Sequence, residues 1–159
     1  MRIVVFGNPA PQGSKRFLGR ANSGKGIMVE SSKAVKPWRE AVKYAAINVM
    51  DKLLLAELYP LHSASLSVCN PLKTRLIGPV SMRIIFTLPR PKSAPKSRLY
   101  PDRKPDLSKL IRSTEDALVD AGVIEDDARI VQFYAVKAYP KSGGETLNRP
   151  GAVIIVEEI

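Results

Sequence analysis

The sequence predicts an α+β fold: a small mixed or antiparallel sheet of about five strands with two main helices, forming a single domain over residues 1–159. Three observations predict it. Residues 34–57 and 106–121 repeat apolar side chains at helical spacing. Short β-branched or alternating runs at 2–7, 26–30, 79–88, 130–139 and 151–156 read as strands. Glycine and proline clusters separate these segments, no internal repeat is visible, and 159 residues suffice to bury one core without staples.

Taken in order, residues 2–7 are an apolar strand ended by Gly7-Asn8-Pro9. The stretch 9–16 is rich in proline and glycine and is expected to be an irregular loop offering Lys15 and Arg16 to phosphate. Residues 26–30 return as a short strand of a hairpin. Ser31 and Ser32 can cap the first helix, and Pro37 sits near its first turn, where a missing N–H costs little. Trp38, Ala41, Val42, Ala45, Val49, Leu53 and Leu54 share one face of it, so Trp38 is expected in the core. Residues 59–78 lack periodicity and form a connector. In the next strand Val80, Met82, Ile84 and Phe86 face the core, opposite Ser81, Arg83, Ile85 and Thr87.

Residues 89–98 carry four cations and three prolines, Arg90, Lys92, Lys96 and Arg98 among them, and make an extended positive loop that cannot bury itself. Asp106 then opens the second helix and Gly122 follows it as a stop. Leu107, Leu110, Ile111, Thr114, Ala117, Leu118 and Ala121 form its apolar face, with Lys109, Arg112, Ser113, Asp116 and Asp120 opposite.

Composition narrows the chemistry. The net charge of +10 divides into +14 over residues 1–105 and −4 over residues 106–159. A basic surface supplies sequence-independent affinity for nucleic acid phosphates, and an acidic patch inside it repels that ligand unless cations bridge the two. One cysteine, Cys69, excludes an internal disulfide and a multi-cysteine zinc site and suits a reducing cytoplasm. The single histidine, His62, lies in a serine-rich connector and reads as a solvated side chain, not a triad member. No run is long enough for a signal peptide or a membrane span, so a cytoplasmic protein without membrane contact is expected.

The acids of interest are Asp106, at a helix start, and Asp126-Asp127, before a strand. Each has a structural explanation: a helix N-cap, and an acidic turn. Together with basic loops they are also the parts of a metal-dependent phosphodiesterase, hard oxygen donors for Mg²⁺ or Mn²⁺ beside cations for the phosphate. A helix of about 15 residues spans about 22 Å, which a five-residue turn cannot recross. The three acids therefore converge only if neighbouring strands cross the helix near Asp106.

The segment Lys104-Pro105-Asp106-Leu107-Ser108-Lys109-Leu110-Ile111-Arg112, then Asp116-Ala117-Leu118, then Ile124-Glu125-Asp126-Asp127-Ala128-Arg129-Ile130-Val131, resembles the core motif of the RusA family of Holliday junction resolvases. The resemblance implies a homodimer, often phage- or prophage-encoded in a bacterial host, that binds four-way DNA junctions and hydrolyses paired phosphodiesters with Mg²⁺ or Mn²⁺ in recombination and repair. Carried over by position, Asp106, Asp126 and Asp127 would be metal-binding and catalytic acids, and Arg112 stands where the family usually has a catalytic lysine. A guanidinium keeps the charge but cannot transfer a proton. Ser108 replaces the family's second aspartate, so one metal would bind through water or be supported by Asp102, Asp116 or Glu125.

The expected chemistry is in-line attack of an activated water, leaving 5′-phosphate and 3′-hydroxyl ends, with Arg112 or Lys109 stabilising phosphate charge. Lys15, Arg16, Arg90, Lys92, Lys96, Arg98, Arg103, Lys104 and Lys109 are the expected DNA contacts. The alternatives are a fork or flap nuclease and a non-catalytic DNA-binding module whose acids are structural.

Overall fold

The computed structural model describes residues 1–13, 15–20, 23–24, 26–30, 32–58, 75–95 and 97–159. Among these the elements in chain order are β1 (Arg2–Phe6), β2 (Lys15–Arg20), β3 (Gly26–Glu30), α1 (Val35–Leu58), β4 (Val80–Thr87), α2 (Leu107–Asp120), a 3₁₀ turn (Asp127–Arg129), β5 (Ile130–Ala138) and β6 (Gly151–Glu158). The α+β class and the two helices are as the sequence predicts. The strands divide into a four-stranded sheet of order β1-β6-β4-β5 and a separate β2-β3 ribbon. β6 is antiparallel to both its neighbours, while β4 and β5 are parallel, so the sheet is mixed. A parallel pair needs a crossover connection, and α2 supplies it.

Lys15 and Arg16 do not belong to an irregular loop. They open β2, paired with Glu30 and Val29 of β3. Pro11 and Gly13 interrupt only the residues before them, and the partner strand supplies the backbone hydrogen bonds that local composition could not foretell.

The core lies between the sheet and both helices. Ile3, Val5, Met82, Ile84, Phe86, Ile154 and Val156 meet Trp38, Val42 and Ala46 of α1 and Leu110, Ala117 and Leu118 of α2. Trp38 is buried as expected, and its Nε1 donates to Thr114 Oγ1 at 3.2 Å, so the one polar atom of the indole is satisfied inside the core. Ser113 departs from expectation. Placed on the polar face by the helical wheel, it is fully buried, with its Oγ 2.7 Å from the Ala10 carbonyl oxygen and 2.9 Å from that of Leu110. The segment after β1 folds over this side of α2, a long-range contact that helical periodicity does not report.

The far face of β4 is also partly covered. Ile85, Thr87 and Val153 are buried there, and the loop after β5 contacts this face at Thr87 and Arg83. Leu147 N donates to Thr87 Oγ1 at 3.0 Å, and Glu145 reaches Arg83 at 3.3 Å.

Gly122 ends α2 with φ +77°, a left-handed turn that glycine adopts without strain. The chain then reverses. Ile124 bridges Leu76, the 3₁₀ turn follows, and β5 runs back along α2 until Lys137 Nζ donates to the carbonyls of Arg103 (3.0 Å) and Pro105 (2.9 Å), just ahead of the helix start. Asp106 and the pair Asp126-Asp127 thus stand at opposite ends of one antiparallel helix–strand unit.

Candidate functional site

At the far end of α2, Asp126 and Asp127 line a hollow of about 330 Å³ with Arg39, Asp116, Val119 and Asp120. Asp126 is fixed by its own turn, Oδ1 accepting from Ala128 N at 2.8 Å. Arg39, from α1, forks across the wall: Nη1 lies 3.3 Å from Asp116 Oδ2 and Nη2 2.7 Å from Asp120 Oδ2. The negative field here is strong enough to act on a neighbour. Burial first, then the charges of Asp127 and Asp116, raise the Glu115 carboxyl above its ordinary 4.5, against an opposing pull from Arg112.

At the near end, Asp106 occupies the N-cap position of α2 in extended conformation, yet its side chain makes no capping hydrogen bond. Its carboxylate is half exposed and lies 3.4 Å from Lys109 Nζ. It lines a hollow of about 490 Å³ with Pro11, Gln12, Gly13, Ser32, Lys104, Pro105 and Lys109. The structural explanation for this aspartate, a side-chain cap, is therefore absent.

The expected convergence of Asp106 with Asp126 and Asp127 does not occur within one chain. The 14 residues of α2 extend about 21 Å. β5 retraces that length where a crossing near Asp106 was needed. Among the described residues no three histidine, cysteine, aspartate or glutamate side chains stand close enough together to hold a metal ion. A third hollow joins the two ends. It measures about 740 Å³, shares Gln12 and Ser32 with the Asp106 hollow, and shares Arg39, Asp116 and Asp120 with the Asp127 hollow. Together the three follow α2 from start to end. Gln12 Oε1, where the Asp106 hollow and the central hollow meet, is buried without a hydrogen-bond partner among the described residues.

The expected cations have unequal roles. Arg90 stacks over Tyr139, 4.8 Å from the ring centroid, and Nη2 donates to Pro95 O at 2.8 Å. Arg98 is mostly buried and pairs with Asp102 at 3.3 Å, so both arginines brace the loop before α2. Lys92, Arg103, Lys104, Lys109 and Arg112 are exposed. Lys96 and the side chains of Lys15 and Arg16 lie outside the described residues, as do His62 and Cys69. The sequence did not single out Arg39, or Lys33, Lys36 and Lys43, which line the central hollow with it. Their signal was available in the i, i+3, i+7 spacing of Lys36, Arg39 and Lys43, on a helix considered only for its apolar face.

Residues 63–147, more than half of the chain, match the family model described as Endodeoxyribonuclease RusA. The chain belongs to the RusA endodeoxyribonuclease family. It is accordingly a nuclease, and the RusA match contains Asp106, Arg112, Asp116, Asp120, Asp126, Asp127 and the basic loop before α2. Arg39 and the lysines of α1 lie outside the RusA match. No curated protein matches this RusA-family chain. Among the described residues no helix is long and apolar enough to cross a membrane.

Proposed function

We propose that this RusA-family nuclease cuts branched DNA, with the four-way junction as its substrate, in a divalent-metal-dependent reaction that serves recombination and repair. The observation that carries the proposal is a hollow lined by Asp116, Asp120, Asp126 and Asp127 at one end of a groove whose other residues include several cations.

The donors there have the right chemistry for Mg²⁺ or Mn²⁺, since they are carboxylate oxygens. Arg39 already engages Asp116 and Asp120, and Ala128 N engages one oxygen of Asp126. Asp127 and the remaining oxygen of Asp126 are thus the groups that would hold an ion, which suits a magnesium ion's habit of binding one or two carboxylates together with substrate phosphate. Such an ion would supply charge neutralisation at the phosphate and an acidified water.

The chain's own groups contribute the rest. Arg112, exposed and always protonated, neutralises charge on the phosphate and leaves proton transfer to other groups. Lys104 and Lys109 flank Asp106 and hold a phosphate near the other end of α2. Asp106 carries an uncapped carboxylate into that second hollow and stands ready to accept a proton or share an ion there. A homodimer of the isologous kind would present one Asp127 hollow to each of two opposed strands, the arrangement paired nicks require.

The test is incubation of purified protein with labelled four-way junction, fork and linear duplex, in Mg²⁺ and in EDTA. The proposal expects paired nicks in the junction with Mg²⁺ and none with EDTA. Faster cutting of the fork would reassign the substrate, and binding without nicking would make this a non-catalytic module.

A further inference from the structure

On the α1 wall of the central hollow, Lys36, Arg39, Glu40 and Lys43 fall at i, i+3, i+4 and i+7, so one helical stripe faces the groove, with Lys33 just ahead of it. The charges on this wall are unevenly matched. The Arg39 fork offsets one of the two negative charges of Asp116 and Asp120, whereas Lys33, Lys36 and Lys43 make no ion pair among the described residues. Over the whole lining four cations face three carboxylates, Glu40, Asp116 and Asp120, and the excess lies on the α1 side. The helix end adds to this imbalance. The first turn of α1 contains no acidic residue, so that turn itself supplies no countercharge to the positive end of its backbone dipole, beside Ser32, Lys33 and Val35.

An excess of positive charge along a groove of about 740 Å³ calls for an extended polyanion. The groove runs between the Asp106 and Asp127 hollows, and the DNA backbone is the polyanion a nuclease of this family must seat. We infer that Lys33, Lys36 and Lys43 form a phosphate track that carries one DNA strand along α1 between the Asp106 and Asp127 hollows. This rests on the proposed action on DNA and adds a contact surface outside the basic loop and outside the family-matched residues. Arg39 has a different part in the track: its guanidinium offsets one of the two charges of Asp116 and Asp120 and so weakens their repulsion of the strand.

The test measures junction affinity by fluorescence anisotropy between about 50 and 200 mM salt, where each lost phosphate contact lowers the slope of log K against log salt by about 0.7 to 0.9. The variants are the triple Lys33→Gln/Lys36→Gln/Lys43→Gln, the single Lys36→Gln, the charge-preserving triple Lys→Arg, and Arg103→Gln/Lys104→Gln in the basic loop. The inference expects the triple Gln variant to bind more weakly with a slope smaller by about two, the single variant by about one, and the Arg triple to keep the wild-type slope. A wild-type slope in both Gln variants, with the loop variant weakened, would overturn the track while leaving action on DNA intact. A wild-type protein that binds no DNA would end both.

Discussion

Arg39 Nη2 lies 2.7 Å from Asp120 Oδ2, a contact between two helices that are 81 residues apart at these positions. α2 has no basic residue in its last turn and carries Asp116 and Asp120 in its C-terminal half, where the helix dipole disfavours negative charge. The countercharge comes instead from α1. Because all three side chains are partly exposed, the pair is of modest strength. Arg39→Met is expected to destabilise the fold by about 1 kcal/mol in low salt and by less in high salt. Urea unfolding at two ionic strengths measures this. An equal loss at both would show that packing, not charge, is the role of Arg39.

Glu115 sets a pH dependence whose sign follows from its raised carboxyl. Its charged form is disfavoured in the fold, so the penalty is absent below the ordinary 4.5, grows as pH rises through that value toward the folded one, and persists above it. Glu115→Gln should therefore stabilise the protein at neutral pH, with the advantage vanishing in acid below 4.5. Chemical denaturation at neutral and acid pH checks it. A gain that is larger in acid contradicts the assignment.

Ser113 ties α2 to the segment after β1 through the Ala10 carbonyl. Ser113→Ala removes the donor and leaves that carbonyl unpartnered in a buried position, at an expected cost of about 1 to 3 kcal/mol. Thermal unfolding of the variant reads this directly, and a change within about 0.5 kcal/mol would mean that water replaces the hydroxyl.

Asp106 separates a structural from a functional role. A capping aspartate loses about 1 kcal/mol on replacement by alanine, but this side chain makes no cap bond. Asp106→Ala is expected to leave stability within about 0.5 kcal/mol of wild type while lowering DNA cleavage by an order of magnitude or more. A stability loss with cleavage intact would return Asp106 to the role of a cap.

Local pattern was enough for the elements that bury one face. α1, α2 and β4 fall within a residue of their expected limits because apolar spacing alone defines them. The family was legible too, since Asp106, Asp116-Ala117-Leu118 and Asp126-Asp127 keep their separations in the chain. What could not be seen was set by partners outside the local segment: Lys15 and Arg16 are drawn into β2 by pairing with β3, the burial of Ser113 needs Ala10, and Arg39 needs Asp120. The same limit applies to the acids. Their spacing along the chain says nothing about whether β5 crosses α2 or retraces it, and it retraces it, leaving Asp106 and Asp127 at opposite ends of a groove.

The account depends most on Asp127, whose carboxylate lines the acidic hollow and adds to the field at Glu115. Asp127→Asn should be compared with wild type on a labelled four-way junction, by gel shift without metal and by product formation in Mg²⁺. Wild-type affinity with cleavage reduced by at least about a hundredfold is the predicted result, as for loss of a group that acts on transition-state charge. Cleavage at the wild-type rate would contradict it.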